Sequence, residues 1–145
     1  MPHVRQQIRE AAATAITGLA TTYTRVYQSR VYPLRDADLP CLQVYTDDES
    51  IAVYSIGGSE LERTLTLTVR AVAKATANLD DLLDQMLSEV ETALSGNTLG
   101  GIVKQTLPQS IEVRMDDTLE KPCGVATLSY AITYATNAAL PDVPI

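Results

Sequence analysis

Residues 111–135 read IEVRM, then DDTLEKP, then CGVATLSYAITYA. In the last segment Ala126, Leu128, Tyr130, Ile132 and Tyr134 alternate with Val125, Thr127, Ser129, Ala131 and Thr133. Successive side chains of a strand point to opposite faces, so the first set lines one sheet face and the smaller, more polar set the other. The acidic stretch 116–122, closed by Pro122, has the composition of a turn. The whole segment therefore reads as a β-hairpin whose second arm is the clearest strand of the C-terminal half. Its large side chains need a cover, and the rest of the chain must supply it.

A length of 145 residues suits one core of ordinary size, and 46% apolar with 20% charged residues is a globular composition. Trp and Phe are absent, so seven Tyr carry all the aromatic mass. Their hydroxyls suit half-buried faces and subunit contacts better than a dry core. A net charge of −7 opposes wrapping by nucleic acid, which needs a Lys/Arg surface. It is compatible with a surface past which DNA slides. Cys41 and Cys123 make no disulfide framework and read as small buried thiols, close together if their strands are neighbours. No apolar run approaches the ~18 residues of a membrane span. The Ala-rich run after Arg9 has helical periodicity and carries Thr14, Thr17 and Gly18, unlike a signal peptide. The expectation is an intracellular protein.

Two helices and several strands precede the hairpin. Val4, Ile8, Ala12, Ala15, Ile16 and Leu19 form one stripe of an amphipathic helix over 2–19. Residues 23–32 suggest a strand or broken pair, 33–40 a proline-bracketed loop, and 41–46 a short strand that Asp47, Asp48, Glu49 and Ser50 interrupt. Ile51 to Tyr54 could form a brief edge strand before Gly57 and Gly58. Over 61–74, Leu61, Leu65, Leu67, Val69 and Ala71 alternate with Glu62, Thr64, Thr66, Thr68 and Arg70, and Arg63 alone breaks the inward row. Leu79, Leu82, Leu83, Met86, Leu87, Val90 and Leu94 recur at helical spacing after a capping Asn78 and before a terminating Gly96. This helix is expected to cross over a sheet face between two strands. Residues 100–108 read as a connection with Ile102, Val103 and Leu107 at the core edge. Residues 1–136 read as one domain and 137–145, with Pro141 and Pro144, as a loose tail. The fold class is α+β: a single mixed or antiparallel sheet, two main helices mainly on one face, and a C-terminal hairpin.

Catalytic chemistry finds little purchase. Nucleophilic catalysis needs a base beside Ser or Cys, yet His3 is the one histidine. Zinc lacks ligands at useful spacing. The acidic sets Asp47–Asp48–Glu49, Asp80–Asp81–Asp84 and Asp116–Asp117–Glu120 match no calcium-loop pattern, and each reads more simply as loop or helix-start acid. No catalytic residue, metal site or cofactor is expected. A divalent-cation domain using Asp116, Asp117 and Glu120 is the reading from a different class.

Arg114-Met115-Asp116-Asp117, followed by ATLSYAITY at 126–134, resembles the phage lambda tail terminator family, the minor tail protein U family, in its Arg-x-Asp-Asp turn and Leu-x-Tyr-x-Ile-x-Tyr strand. Residues 36–40, DADLP, leading into Val44-Tyr45, are similar to that family's loop and second strand. The strand ending at Val69-Arg70-Ala71-Val72 and the helix over 79–94 agree in order and spacing. The resemblance spans about residues 11–135 and rests on structural motifs. The glycine pairs and the tail after Thr136 find no counterpart in it.

The resemblance implies a virion protein that assembles in the host cytoplasm into a homo-oligomeric ring, in the family a hexamer. Such a ring caps the tail tube, stops its polymerisation and offers the surface that joins tail to head. The implied partners are tail tube protein and head–tail connector, with DNA passing through the lumen and no membrane. A different neck protein is the near alternative. Within that reading, 47–59, containing Asp47, Asp48 and Glu49, is expected as a loop reaching the tube or lumen. Arg63, Arg70 and Arg114 are expected in intersubunit ion pairs with acids such as Asp116 and Asp117.

Overall fold

The computed structural model describes residues 1–28, 38–53, 57–75, 77–116 and 123–145. Helix α1 spans Val4–Ala15, and strand β1, Val26–Tyr27, follows. Strands β2 (Cys41–Val53) and β3 (Glu60–Lys74) lead to helix α2 (Leu79–Leu94), and strands β4 (Gln105–Asp116), β5 (Cys123–Asn137) and β6 (Leu140–Pro144) complete the chain. The fold is α+β, with a single mixed sheet in the order β1-β2-β3-β5-β4 and β6 added to β5. β1 runs parallel to β2; the other pairings are antiparallel.

The alternation in β5 organises this sheet. Ala126, Leu128, Tyr130, Ile132 and Tyr134 are all buried in one core. They stand in register with Ala71, Val69, Leu67, Leu65 and Arg63 of β3, whose central pairing runs from Glu60↔Asn137 to Lys74↔Cys123. Both helices cover this face. α1 contributes Val4, Ile8 and Ala12, spaced by four, and α2 contributes Leu79, Leu83, Met86, Leu87, Val90 and Leu94. Each large side chain so buried stabilises by roughly 1.5–3 kcal/mol, so helix packing dominates the energetics of the layer. α2 leaves β3, crosses over β5 and delivers β4 to its far side, the crossover that its apolar stripe demands. Gly124 gives α2 room, since a Cβ there would come within 2.7 Å of Leu83 and 2.9 Å of Met115.

Several elements differ from the sequence expectation. α1 stops at Ala15, with Ile16 as its C-cap and Gly18 at φ +88°. Asn78 stands at the N-cap of α2 but in a left-handed conformation, φ +58°, with no side-chain capping bond; Gly96 ends the helix at φ +62°. The connection expected over 100–108 is shorter: Val103 is buried, but β4 begins at Gln105 and Leu107 is exposed. The tail is not loose. β6 folds back on β5 through Asn137↔Leu140 and Thr136↔Pro144, and the Gln7 side chain donates to the Asp142 carbonyl at 2.8 Å. Its prolines are tolerated because β6 is an edge strand. Of the strand expected over 23–32, only Val26 and Tyr27 form one within the described residues; 29–32 of that strand and 33–37 of the expected loop lie outside them. So do Tyr54 and the hairpin turn 117–122. Cys41 and Cys123 are free and share a sheet face, with β3 between their strands.

Candidate functional site

The largest departure lies in β2. Asp47, Asp48 and Glu49 do not end the strand, and 47–59 is not one loop; β2 continues to Val53 beside β3. The register passes from Thr46↔Leu67 to Glu49↔Leu65, so Asp47 and Asp48 together oppose Thr66 in a bulge. Without that bulge Glu49 would face away from the helices. With it, Glu49 joins the helix-side row and meets Arg63, its inward neighbour on β3.

Arg63 Nη1 lies 3.0 Å from Glu49 Oε2, with side-chain exposures of only 8% and 5%. Arg63 Nε donates to Thr136 Oγ1 at 3.0 Å, and the Tyr134 hydroxyl donates to Glu49 Oε1. Two buried charges are thereby met by each other and by flanking donors and acceptors, the condition under which such a pair persists. Burial and the adjacent Glu49 carboxylate push the Tyr134 phenol far above its ordinary value. Asp47 accepts from Thr68 Oγ1 at 3.0 Å, and its backbone carbonyl accepts from the Arg5 guanidinium. The irregular inward row at Arg63 was the sequence signal for this cluster. Its partner could not be read from a regular hairpin register, because only the bulge turns Glu49 to the helix side.

The remaining expected interface residues separate. Arg70 is half-buried on the sheet face away from the helices, between Gln43 and Thr127 in register. Arg114 is exposed and bonds Glu112 on its own strand, Nε to Oε1 2.6 Å. Asp48 is exposed at the bulge, and the backbone of Asp116 closes β4 opposite Cys123. Asp117 lies outside the described residues. Arg63 is thus engaged with Glu49 within the chain rather than free to seek Asp116 or Asp117.

Sequence reasoning missed a second feature. β4 ends the sheet, and neither helix covers it. Ile111, Val113 and Met115 share the helix-side face, since they oppose Leu128, Ala126 and Gly124, yet they are 50%, 45% and 43% exposed. α2 walls the resulting groove with Asp84, Ser88 and Glu91. A separate cleft of about 420 Å³ opens where α2 gives way to β4, with Tyr130, Asn97, Lys104 and Glu91 in its lining. Burial, then the charge of Glu91, pushes the Tyr130 phenol up to about 12.

His3 uses Nδ1 to cap α1, accepting from the Arg5 backbone N–H at 3.1 Å. Among the described residues no group of three or more His, Cys, Asp or Glu is placed to hold a metal ion. No helix among them is long and apolar enough to cross a membrane.

Comparison with known proteins follows the same line. No curated protein matches the sequence. Among solved structures, a chain of the "virion of native gene transfer agent (GTA) particle" aligns over 90% of this chain and 92% of its own, with a TM-score of 0.47 and 16% identity. The family described as phage minor tail protein U matches residues 3–134, nearly the whole chain. β4, all but the last three residues of β5, α2 and β2 with its acids fall within that match, and on it the chain belongs to the phage minor tail protein U family.

Proposed function

We propose that this chain is a tail terminator: the subunit of a ring, a hexamer on the family pattern, that caps the tail tube. The ring stops tube polymerisation and presents the surface that joins tail to head. Tube protein and head–tail connector are its partners, and DNA passes through its lumen as cargo. It assembles in the host cytoplasm and resides in the virion. The reading is structural rather than catalytic. The observation that carries it is the family match over residues 3–134. A sheet with uncovered edges supports it, since a ring lets the next subunit cover what the monomer leaves open. In this reading Asp48, Arg70, Arg114, Asp116 and Asp117 contact neighbouring subunits or the tube. Asp47, Glu49 and Arg63 hold the β2–β3 arm in shape behind them.

The direct experiment polymerises purified tube protein with and without this chain and images the products by negative stain. The reading expects bounded tubes carrying an added ring at one end. An unchanged length distribution with bare ends overturns it. Binding to connector but not to tube ends would place the chain at the neck instead.

A further inference from the structure

The terminator reading states that copies meet; the structure also indicates which surfaces do so. Among the described residues, uncovered edges lie at opposite sides of the sheet. One is β4, where the strand order ends and Ile111, Val113 and Met115 stand exposed beside α2. The other is the distal part of β2. β1 pairs only with Leu42 and Gln43, so the outer edge of 50–53 meets no strand among the described residues. There Ile51 and Val53 are 54% and 67% exposed. They lie on the helix-side face too, because the bulge puts them opposite Arg63 and Leu61. Without the two-residue bulge these side chains would point the other way.

We infer that β4 of one copy pairs antiparallel with the distal arm of β2 of the next, in the register Val113↔Ile51, Ile111↔Val53 and Met115↔Glu49. This deepens the ring reading and rests on it. Three observations point to a second copy as the occupant. The strand directions fit: β2, β3, β5 and β4 alternate, so a following β2 meets β4 antiparallel and the sheet continues without a break. The faces fit: this register puts the exposed apolar residues of both edges on one side, in contact across the strands. The charges fit: α2 lines the groove beside β4 with Asp84 and Glu91 and has no basic residue, whereas α1, which packs over β2, brings Arg5 and Arg9 against a single Glu10. A neighbour's α1 would then occupy the open space beside α2 and cover the apolar row. The contact is head-to-tail, the type that closes a ring rather than stopping at a dimer.

The experiment is disulfide trapping in the full chain. Ile51→Cys with Val113→Cys, and independently Val53→Cys with Ile111→Cys, are oxidised mildly at a concentration where the wild type is assembled. All four positions are exposed in the monomer, and far-UV circular dichroism checks that each variant folds. Each single variant serves as a control for bonds to Cys41 or Cys123. The expected result is a reducible ladder of covalent multimers from both double variants and from neither pair of singles. Covalent dimers from Val113→Cys alone would show two β4 edges meeting and overturn the inference. An intact ring by native mass without cross-links would overturn it while leaving the terminator reading standing. A wild type that stays monomeric, alone and beside tube protein, removes both.

Discussion

At one corner of the sheet charge lies inside, and along the opposite edge apolar side chains lie outside. Near the end of β2 and the start of β3, Arg63 and Glu49 are buried and bonded to each other, to Thr136 and to Tyr134. Along β4, Ile111, Val113 and Met115 are about half exposed, and the charged pair Arg114 and Glu112 sits in solvent. From the sequence both arginines are expected in intersubunit ion pairs, although Arg63 alone breaks an inward apolar row. The difference lies in what the chain itself supplies. The first region is satisfied internally, so its residues shape the subunit. The second is left open, so its apolar residues face solvent in the single chain.

The sharpest way to test the contrast is to make one substitution in both places. Arg63→Met strands the Glu49 carboxylate in the interior and should cost ~3–5 kcal/mol in urea unfolding, whereas Arg114→Met should cost under ~1 kcal/mol. Adding Glu49→Met to Arg63→Met should recover a large part of the loss, because the uncompensated charge is then gone. Equal effects at the two arginines would erase the distinction between the corners.

A smaller effect is expected from the phenols and thiol held in the sheet. Tyr134 and Tyr130 are raised above 10.0, Tyr130 to about 12, and burial lifts Cys41 from 9.0 to about 11. A folded value above the unfolded one means that the fold favours the protonated form. The stability so contributed is intact below the unfolded value and is lost as pH rises towards the folded one. The urea midpoint should therefore hold near neutrality and fall from about pH 9 upward. Tyr134→Phe should flatten that alkaline limb while costing ~1–3 kcal/mol at pH 7, because Glu49 loses a buried donor. An alkaline limb identical to wild type would mean that Tyr134 is not protected as the structure has it.

Legibility in the sequence followed the range of the interactions. The alternations over 61–74 and 126–134 and the helical stripe over 79–94 are local patterns, and the strands and helix formed where those patterns lie. The acids at 47–49 locally signal a break, and only pairing with β3 and the bulge carries β2 past them. The pairing of Arg63 with Glu49 depends on that same register. β6 has no periodicity of its own and exists because β5 offers it an edge beyond the start of β4. The open β4 edge was equally hidden, since Ile111, Val113 and Met115 alternate like core residues and only the positions of α1 and α2 leave them bare. The family resemblance was readable from the hairpin motif, whereas the residue-level surfaces needed the sheet order.

The central claim is that this chain assembles with copies of itself into a closed ring through those open surfaces. Native mass spectrometry of the purified protein, alone and with tube protein, tests it most directly. The account predicts one discrete closed species, a hexamer on the family pattern, with no open-ended series above it. A monomer under both conditions, or an unbounded ladder of masses, would contradict it.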